Sequence, residues 1–171
     1  MIIKSYQEKT PVLKNAFVAE DVSIIGDVTV EDDASIWYGV VLRGDVDKIV
    51  IGAKTSIQDN SVVHCATGKP TIIGKNCVVG HNAILHSCTV EEDCLIGMGA
   101  VLLDGCHIGK GSIVAAGSVV SPGKVIPPGS MVMGVPGRVT RALTEEDSEP
   151  TEWSVKHYIE YAKGQLEKMN R

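Results

Sequence analysis

Residues 90–120 read VEEDCLIGMGAVLLDGCHIGKGSIVAAGSVV, and an aliphatic residue returns at every sixth position of this stretch. The same phase extends back to Val12, with three residues inserted before Ile51, four inserted before Ile73, and one removed before Val90. A small or β-branched residue stands four positions after all but the last of these aliphatic residues. A period of six fits neither the helical period of about 3.6 residues nor the alternation of a simple strand.

The period instead predicts a triangular coil. Each hexad forms one short flat side, whose aliphatic residue fills the interior and whose small residue allows the corner. At three hexads per turn, the eighteen hexads predict six turns over roughly residues 11–125. An antiparallel β-sandwich would show turn signals about every 8–12 residues and no fixed phase of six. The sequence therefore predicts an all-β fold, a parallel β-helix of hexapeptide repeats.

The sequence after the coil predicts a cap and a C-terminal helix. Residues 121–139 are rich in proline and glycine and predict an extended cap. A capping-box-like sequence at residues 144–147 predicts a short turn, and a second start near Thr151 predicts an amphipathic helix along the coil or a neighbouring subunit. Its apolar residues are Val155, Tyr158, Ile159, Ala162, Leu166 and Met169. We thus expect a β-helix domain with its cap over residues 1–143 and a helical segment over residues 144–171.

Composition excludes several classes of function. The net charge of -5 provides no basic surface for nucleic acid or for anionic membranes. The N-terminus is too polar for a signal peptide, and no apolar run reaches membrane-spanning length. Five cysteines without paired C-x-x-C spacing fit a reducing compartment. We expect a cytoplasmic protein.

The positions of three histidines within the hexads predict which of them lie close together. His64 and His86 are the second residues of the ninth and twelfth hexads, so they stack in adjacent turns, about 4.8 Å apart. Two imidazoles at that separation can converge on one metal ion. His81 is the third residue of the eleventh hexad, which places it on another side of the triangle, on the order of 16 Å along the chain from His86. A three-histidine site therefore needs His81 from a neighbouring subunit, as a cyclic trimer provides.

Further polar residues fall near the same columns. Arg43 lies one turn below His64, and Asp45 belongs to the same hexad as Arg43. Asp59 lies one turn below His81, and Gln58 precedes it. His107, His157 and the cysteines match no such column, and we interpret them as packing or surface residues.

Four segments carry a family resemblance. They are GDVTVEDDASIWYGVVLRGD at residues 26–45, IQDNSVVH at 57–64, VGHNAILHSC at 79–88 and GVPGRV at 134–139. With them, nearly the whole chain resembles the γ-class carbonic anhydrases. The resemblance implies a left-handed coil and a homotrimer with a metal ion between subunits, held by His64 and His86 of one chain and His81 of the next.

The resemblance also implies roles for the polar neighbours. Arg43 and Asp45 would bridge subunits beside the metal, Gln58 and Asp59 would orient or activate the metal-bound water, and Tyr158 would approach the site. Zn²⁺ is the expected metal, with Fe²⁺ or Co²⁺ as alternatives, because three imidazoles and a water suit several divalent ions.

The implied reaction is the reversible hydration of CO2 to bicarbonate, as in a carbonate dehydratase. Zinc with three histidine ligands lowers the pKa of bound water to about 7, so that hydroxide attacks CO2 near neutral pH. The chain lacks the family's acidic loop between the first and second ligands, and Val46 replaces a family glutamate. Since those groups move protons, we expect weak activity.

Two alternatives stay open. A hexapeptide-repeat acyltransferase would use a histidine as general base and bind CoA between subunits, without a metal. A non-enzymatic trimeric scaffold would keep the metal for structure alone.

Overall fold

The computed structural model describes residues 1–169 as a left-handed parallel β-helix followed by one α-helix. The elements are β1 Ile2–Lys4, β2 Val12–Leu13, β3 Phe17–Val18, β4 Ser23–Val30, β5 Ser35–Ile36, β6 Val41–Ile51, β7 Ser56–Ile57, β8 Val62–His64, β9 Thr71–Ile73, β10 Val78–Val79, β11 Ile84–His86, β12 Thr89–Val90, β13 Leu95–Ile96, β14 Val101–Leu102, β15 His107–Ile108, β16 Ile113–Val114, β17 Val119–Val120, β18 Val125–Ile126, β19 Ser130–Met133, β20 Arg138–Ala142 and α1 Glu145–Met169.

The coil is longer than the six turns that the hexad count predicts. On one side, β3, β5, β7, β10, β13, β16 and β19 stack in parallel, one strand per turn, and β20 adds an antiparallel edge. Ile126 and Val132 keep the phase of six and are buried, although they lie in the segment that the sequence predicts as an extended cap. The prolines stand at the corners beside these strands, where they leave the interior pattern intact.

The insertions shape the turns that carry the polar residues. The three-residue insertion lies within β6, which continues around a corner and pairs with both β8 and β9. Gly44 in β6 needs to be glycine, because a Cβ there would lie 2.5 Å from the Asp27 carbonyl oxygen. The four-residue insertion forms a turn closed by a bridge between Ala66 and Lys69.

The C-terminal segment forms one continuous helix, so the predicted separate turn before Thr151 is wrong. The Thr144 hydroxyl and backbone N–H both donate to Asp147, at 2.9 and 2.8 Å, and this cap starts the helix at Glu145. Pro150 is the sixth residue of this helix, so its ring nitrogen cannot donate the hydrogen bond that the Glu146 carbonyl would accept there. The helix lies against β3, β5, β7 and β10 and buries Ala162. Residues 170–171 of the predicted segment lie outside the described residues.

Within the described part of the chain, no helix combines the length and the apolar character that a bilayer crossing requires.

The helix cap should respond to acid. The Arg141 guanidinium donates to both carboxylate oxygens of Asp147, at 2.6 and 2.7 Å, and together with the Thr144 N–H it holds the pKa of Asp147 well below its usual range. A depressed carboxyl pKa stabilises the folded state above the unfolded pKa of about 3.9 and loses that effect as the pH falls below it. We therefore expect Asp147→Asn to lower the Tm at pH 6, with a difference that narrows below about pH 4.

Glu146→Gln is the control, because Glu146 is an exposed carboxylate in the same helical turn. Thermal unfolding followed by circular dichroism between pH 3 and pH 7 measures both variants. A Tm difference for Asp147→Asn that stays constant over this range would contradict the assignment.

Candidate metal centre

His64 and His86 stack as the hexad count predicts. The parallel pairing of β8 with β11 sets His64 opposite His86, and the pairing of β6 with β8 sets Arg43 opposite His64. The two imidazole centroids are 5.0 Å apart, and His64 Nδ1 lies 3.1 Å from His86 Nε2. The three side chains therefore form one column over three turns.

A carboxylate holds the far nitrogen of each imidazole. Asp45 Oδ1 lies 3.0 Å from His64 Nε2, and Asp104 Oδ1 lies 2.6 Å from His86 Nδ1. The Arg43 guanidinium donates to the other oxygen of Asp45 at 2.6 Å. A carboxylate only accepts hydrogen bonds when ionised, so each imidazole donates its N–H to its carboxylate. This choice fixes the tautomer of both rings.

With these tautomers, a cation between the two rings would be stabilised. With both N–H groups directed at carboxylates, the neutral rings point their remaining lone pairs at each other across 3.1 Å. Two lone pairs at this distance repel unless a proton or a metal ion lies between them. Two tetrahedral zinc ligands with Zn–N bonds of about 2.0–2.1 Å stand about 3.3 Å apart, so the spacing fits a shared divalent ion.

Both supporting carboxylates are stabilised in the ionised form. Partial burial opposes ionisation of Asp45, but hydrogen bonds from Arg43 and His64 outweigh it and lower the pKa of Asp45. The hydrogen bond from His86 lowers the pKa of Asp104. Negative charge behind each imidazole raises the basicity of the nitrogen that faces the shared point.

His81 and Asp59 form a second, separate group. His81 Nδ1 lies 2.8 Å from Asp59 Oδ2, which agrees with their predicted placement in adjacent turns. His81 stands in the turn between β10 and β11, at the corner where the strand leading to His86 begins. The count of hexads predicts another side of the triangle, and the structure shows the corner instead, because the third position of a hexad is already part of the turn.

The other predicted site residues lie near this second group. Gln58 is buried, with 6% of its surface exposed, and directly precedes Asp59. Tyr158 reaches the coil from α1 and packs on Trp37, with ring centroids 5.3 Å apart. Burial, and then the charge of Asp59, raises the pKa of Tyr158. The structure thus divides the predicted residues into a group around His64 and His86 and a group around His81.

One chain does not complete a three-histidine site. Within residues 1–169, no three His, Cys, Asp or Glu side chains surround a common point as metal ligands would. A single chain therefore offers two convergent imidazoles, and His81 lies apart from them.

Asp104 is the member of the candidate site that sequence reasoning missed. Asp104 is the third residue of its hexad and lies one turn above His86. His86 is the second residue of its own hexad, so the two side chains fall in neighbouring columns rather than in the same one. A search for carboxylates one position away in the adjacent turn would have found it.

The remaining histidines and cysteines have packing or surface contacts. His107 Nε2 lies 2.8 Å from a Glu91 carboxylate oxygen, and His157 stacks on Trp153 at 3.8 Å between centroids. All five cysteines are free and buried, and burial raises the pKa of the Cys65 thiol. A buried thiol of raised pKa is an inert packing group rather than a metal ligand.

Replacement of Asp104 should weaken metal binding without unfolding the coil. Loss of a carboxylate behind a ligating histidine typically costs about 10–100-fold in metal affinity, and we expect this loss for Asp104→Asn because the amide no longer fixes the His86 tautomer. Competition with a chromophoric chelator measures the zinc affinity of the variant. Asp32→Asn serves as the control, since Asp32 is an exposed carboxylate on another corner. Equal zinc affinities for the two variants would rule out the role of Asp104.

Comparisons with known proteins identify relatives of this chain. Two hexapeptide-repeat family models match the chain, a six-repeat bacterial transferase hexapeptide model at residues 87–122 and a succinyl-transferase hexapeptide repeat at residues 70–103. A Methanocaldococcus jannaschii protein named probable carbonic anhydrase is 49% identical over 146 residues, which cover 85% of this chain and 92% of that protein. Gamma carbonic anhydrase 1 of Arabidopsis thaliana mitochondria is 54% identical over 74 residues, which cover 39% of this chain and 27% of that protein.

Solved structures show the same fold over the full chain. A Bacillus cereus protein provisionally assigned as an acetyltransferase matches with a TM-score of 0.94 and 43% identity, over 99% of this chain and 98% of that one. The extent of the Methanocaldococcus match, together with the hexapeptide repeats, establishes the relationship. The chain belongs to the γ-carbonic-anhydrase-like family of hexapeptide-repeat proteins.

Proposed function

We propose that this protein is a metal-dependent carbonic anhydrase that catalyses the reversible hydration of CO2 to bicarbonate. The observation that carries the proposal is the His64–His86 pair, whose lone pairs face one point and whose far nitrogens are each held by a carboxylate. The carbonic anhydrase names of its relatives support the same reaction. Zn²⁺ is the proposed ion, and Fe²⁺ or Co²⁺ would suit the same ligands.

We place the third ligand, His81, on a neighbouring subunit. The strands β8 and β11 run from the corner with Asp59 and His81 to the end with His64 and His86, so the two groups flank one side of the coil. Outward-pointing apolar residues form a column along that side: Val41, Val62, Ile84, Val101 and Val119. A head-to-tail contact through this side joins one edge to the opposite edge of the next copy, and three such contacts close a ring.

The residues of the chain then have distinct tasks. Three imidazoles would hold a divalent ion, which when bound would lower the pKa of water to about 7 and so make hydroxide available for CO2 hydration. Asp45 and Asp104 orient His64 and His86, and Arg43 holds Asp45 in place. Asp59 orients His81, and we assign to the adjacent Gln58 a hydrogen bond that positions the reacting water or CO2. Tyr158, on α1, borders the region around Asp59 and Gln58.

The expected rate of CO2 hydration depends on how fast protons leave the site. The loop between the two stacked ligands is the short turn around Thr67 and Gly68, and its sequence CATGKP at residues 65–70 carries no acidic residue. Val46, in β6 beside Asp45, is exposed and cannot carry a proton. Turnover therefore depends on buffer for proton removal, and we propose a weak enzyme whose rate rises with buffer concentration. The free cysteines fit a cytoplasmic location, which is part of this proposal.

Stopped-flow CO2 hydration by zinc-loaded protein tests the function. We expect a rate above that of buffer alone, increasing with the concentration of an imidazole buffer, and lost in His64→Ala. Fully zinc-occupied protein that gives no rate above buffer would refute the enzymatic proposal and leave a scaffold with a structural metal.

The likeness to the Bacillus cereus protein keeps acyl transfer as a second candidate. A hexapeptide acyltransferase would bind acetyl-CoA and would not require metal. Isothermal titration with acetyl-CoA, with and without bound zinc, separates the two functions. If the metal-free protein keeps the fold of the zinc-loaded protein and binds acetyl-CoA, the result would favour the acyltransferase.

A further inference from the structure

The scarce aromatic residues of this chain gather around one cavity. The sequence contains only one Phe, two Trp and four Tyr. Four of these line a cavity of about 460 Å³ between α1 and the corner of the coil: Trp37, Tyr38, Tyr158 and Tyr161. Phe17 packs behind Trp37, with ring centroids 5.0 Å apart. Four of the seven aromatic residues of the chain therefore lie at this one cavity.

The rings form adjoining walls. The indole N–H of Trp37 donates to the Ser35 and Ser56 hydroxyls at 3.0 and 3.1 Å, which fixes the orientation of its ring. Tyr158 meets Trp37 at an interplanar angle of 75°, and Tyr161 meets Tyr158 at 82° with centroids 6.0 Å apart. Each of these two ring pairs packs edge to face.

Attachment of the helix explains only part of this set. Trp37 is 7% exposed, and Tyr158 packs against the same core, so both rings fasten α1 to the coil. Tyr38 and Tyr161 keep 39% and 54% of their surface exposed and contribute little to that attachment. Their rings are available to a bound molecule.

Charge at the cavity favours a cation. The carboxylates of Asp59 and Glu160 line it beside the four rings. Lys168 also lines the cavity, but it is exposed and its flexible ammonium group can turn into the solvent. Ring faces attract a cation whose centre lies within about 6 Å of the ring centroid, and nearby carboxylates add to that attraction.

We propose that this cavity binds a small organic cation of the quaternary ammonium class. Its volume falls within the range of about 300–1,000 Å³ that is typical of small-molecule pockets, so it holds an organic molecule rather than only CO2 or bicarbonate. A methylated nitrogen donates no hydrogen bond, so it packs its methyl groups against the ring faces while Asp59 and Glu160 balance its charge. The cavity adjoins the proposed metal centre, because Asp59 lines it and also contacts His81.

Choline and its uncharged analogue 3,3-dimethylbutan-1-ol, which have the same shape, are the probes. In the full-length Trp153→Phe protein, Trp37 is the single tryptophan and reports on the cavity; Trp153 stacks on His157 elsewhere on α1. We expect choline to change the Trp37 emission saturably and to bind about tenfold more tightly than the uncharged analogue. Equal affinities would reduce the cavity to an apolar crevice and overturn the proposal, as would the absence of binding by both fluorescence and calorimetry.

Matched variants in the same background identify the residues. We expect Glu160→Gln to weaken choline binding about three- to tenfold, while Glu167→Gln, at an exposed position two turns further along α1, leaves it unchanged. Tyr161→Leu keeps an apolar side chain without the ring and should also weaken binding about three- to tenfold, whereas Tyr6→Leu, at the N-terminus, should not. An unchanged choline affinity in Glu160→Gln and Tyr161→Leu, with the Tm preserved, would overturn the assignment of this cavity.

Discussion

His81→Ala is expected to remove bound zinc from all three sites of the trimer, although His64 and His86 are untouched. In the proposed trimer, each site takes His81 from one chain and the stacked pair from the next, so one substitution per chain leaves every site with two ligands. Elemental analysis of zinc per trimer, after dialysis against a weak chelator, measures the loss. His107→Ala is the control, since His107 pairs with Glu91 and its strand β15 stacks on β12 and β18 rather than on the strands of His64 and His86.

Mixed trimers make this prediction sharper. Chains with His81→Ala supply an intact His64–His86 pair, and chains with both His64→Ala and His86→Ala supply an intact His81. In a head-to-tail ring, every trimer that contains both kinds of chain has one interface with all three histidines, so co-refolded mixtures should recover one zinc per mixed trimer. Neither parent should bind zinc. Mixtures that recover no zinc, despite forming trimers, would show that the three histidines do not meet across a subunit interface.

Leu85→Ala should cause the largest loss of stability among substitutions near the site. Leu85 is fully buried and stacks between Val63 and Leu102 in the interior of the coil. Truncation of a buried leucine typically costs about 2–5 kcal/mol, because the lost apolar contacts add to the cavity that is left behind. We also expect weaker zinc binding, since Leu85 sets the position of the adjacent His86. Chemical denaturation at fixed protein concentration measures the free energy of unfolding.

Val125→Ala is the matched control for this truncation. Val125 precedes the interior residue Ile126 in its strand, and 65% of its own surface is exposed, so its truncation should change the unfolding free energy by less than about 0.5 kcal/mol. Similar losses for Leu85→Ala and Val125→Ala would show that the interior column does not carry the stability of the coil.

The candidate site was predictable from the sequence only in part. The stacking of Arg43, His64 and His86 follows from counting, because residues at equal hexad positions three hexads apart must pair when the coil is in register. The number of a hexad alone does not predict the location of His81. His81 lies at a corner of the coil because it is the third residue of its hexad. The count also misses Asp104, because it compares only equal hexad positions, and Asp104 stands one position away from His86 in the adjacent turn.

By itself, the sequence determined the coil. An aliphatic residue at every sixth position has to be buried, and only stacked triangular turns bury all of them, so the fold and the interior follow from local periodicity. The tertiary structure alone decided how the insertions bend β6 around a corner, how far the coil continues past the prolines, and that α1 is continuous from Glu145. It also decided that Asp45 and Asp104 turn the lone pairs of His64 and His86 toward one point. These features depend on side-chain directions and contacts between turns, which are set only when the coil closes and packs.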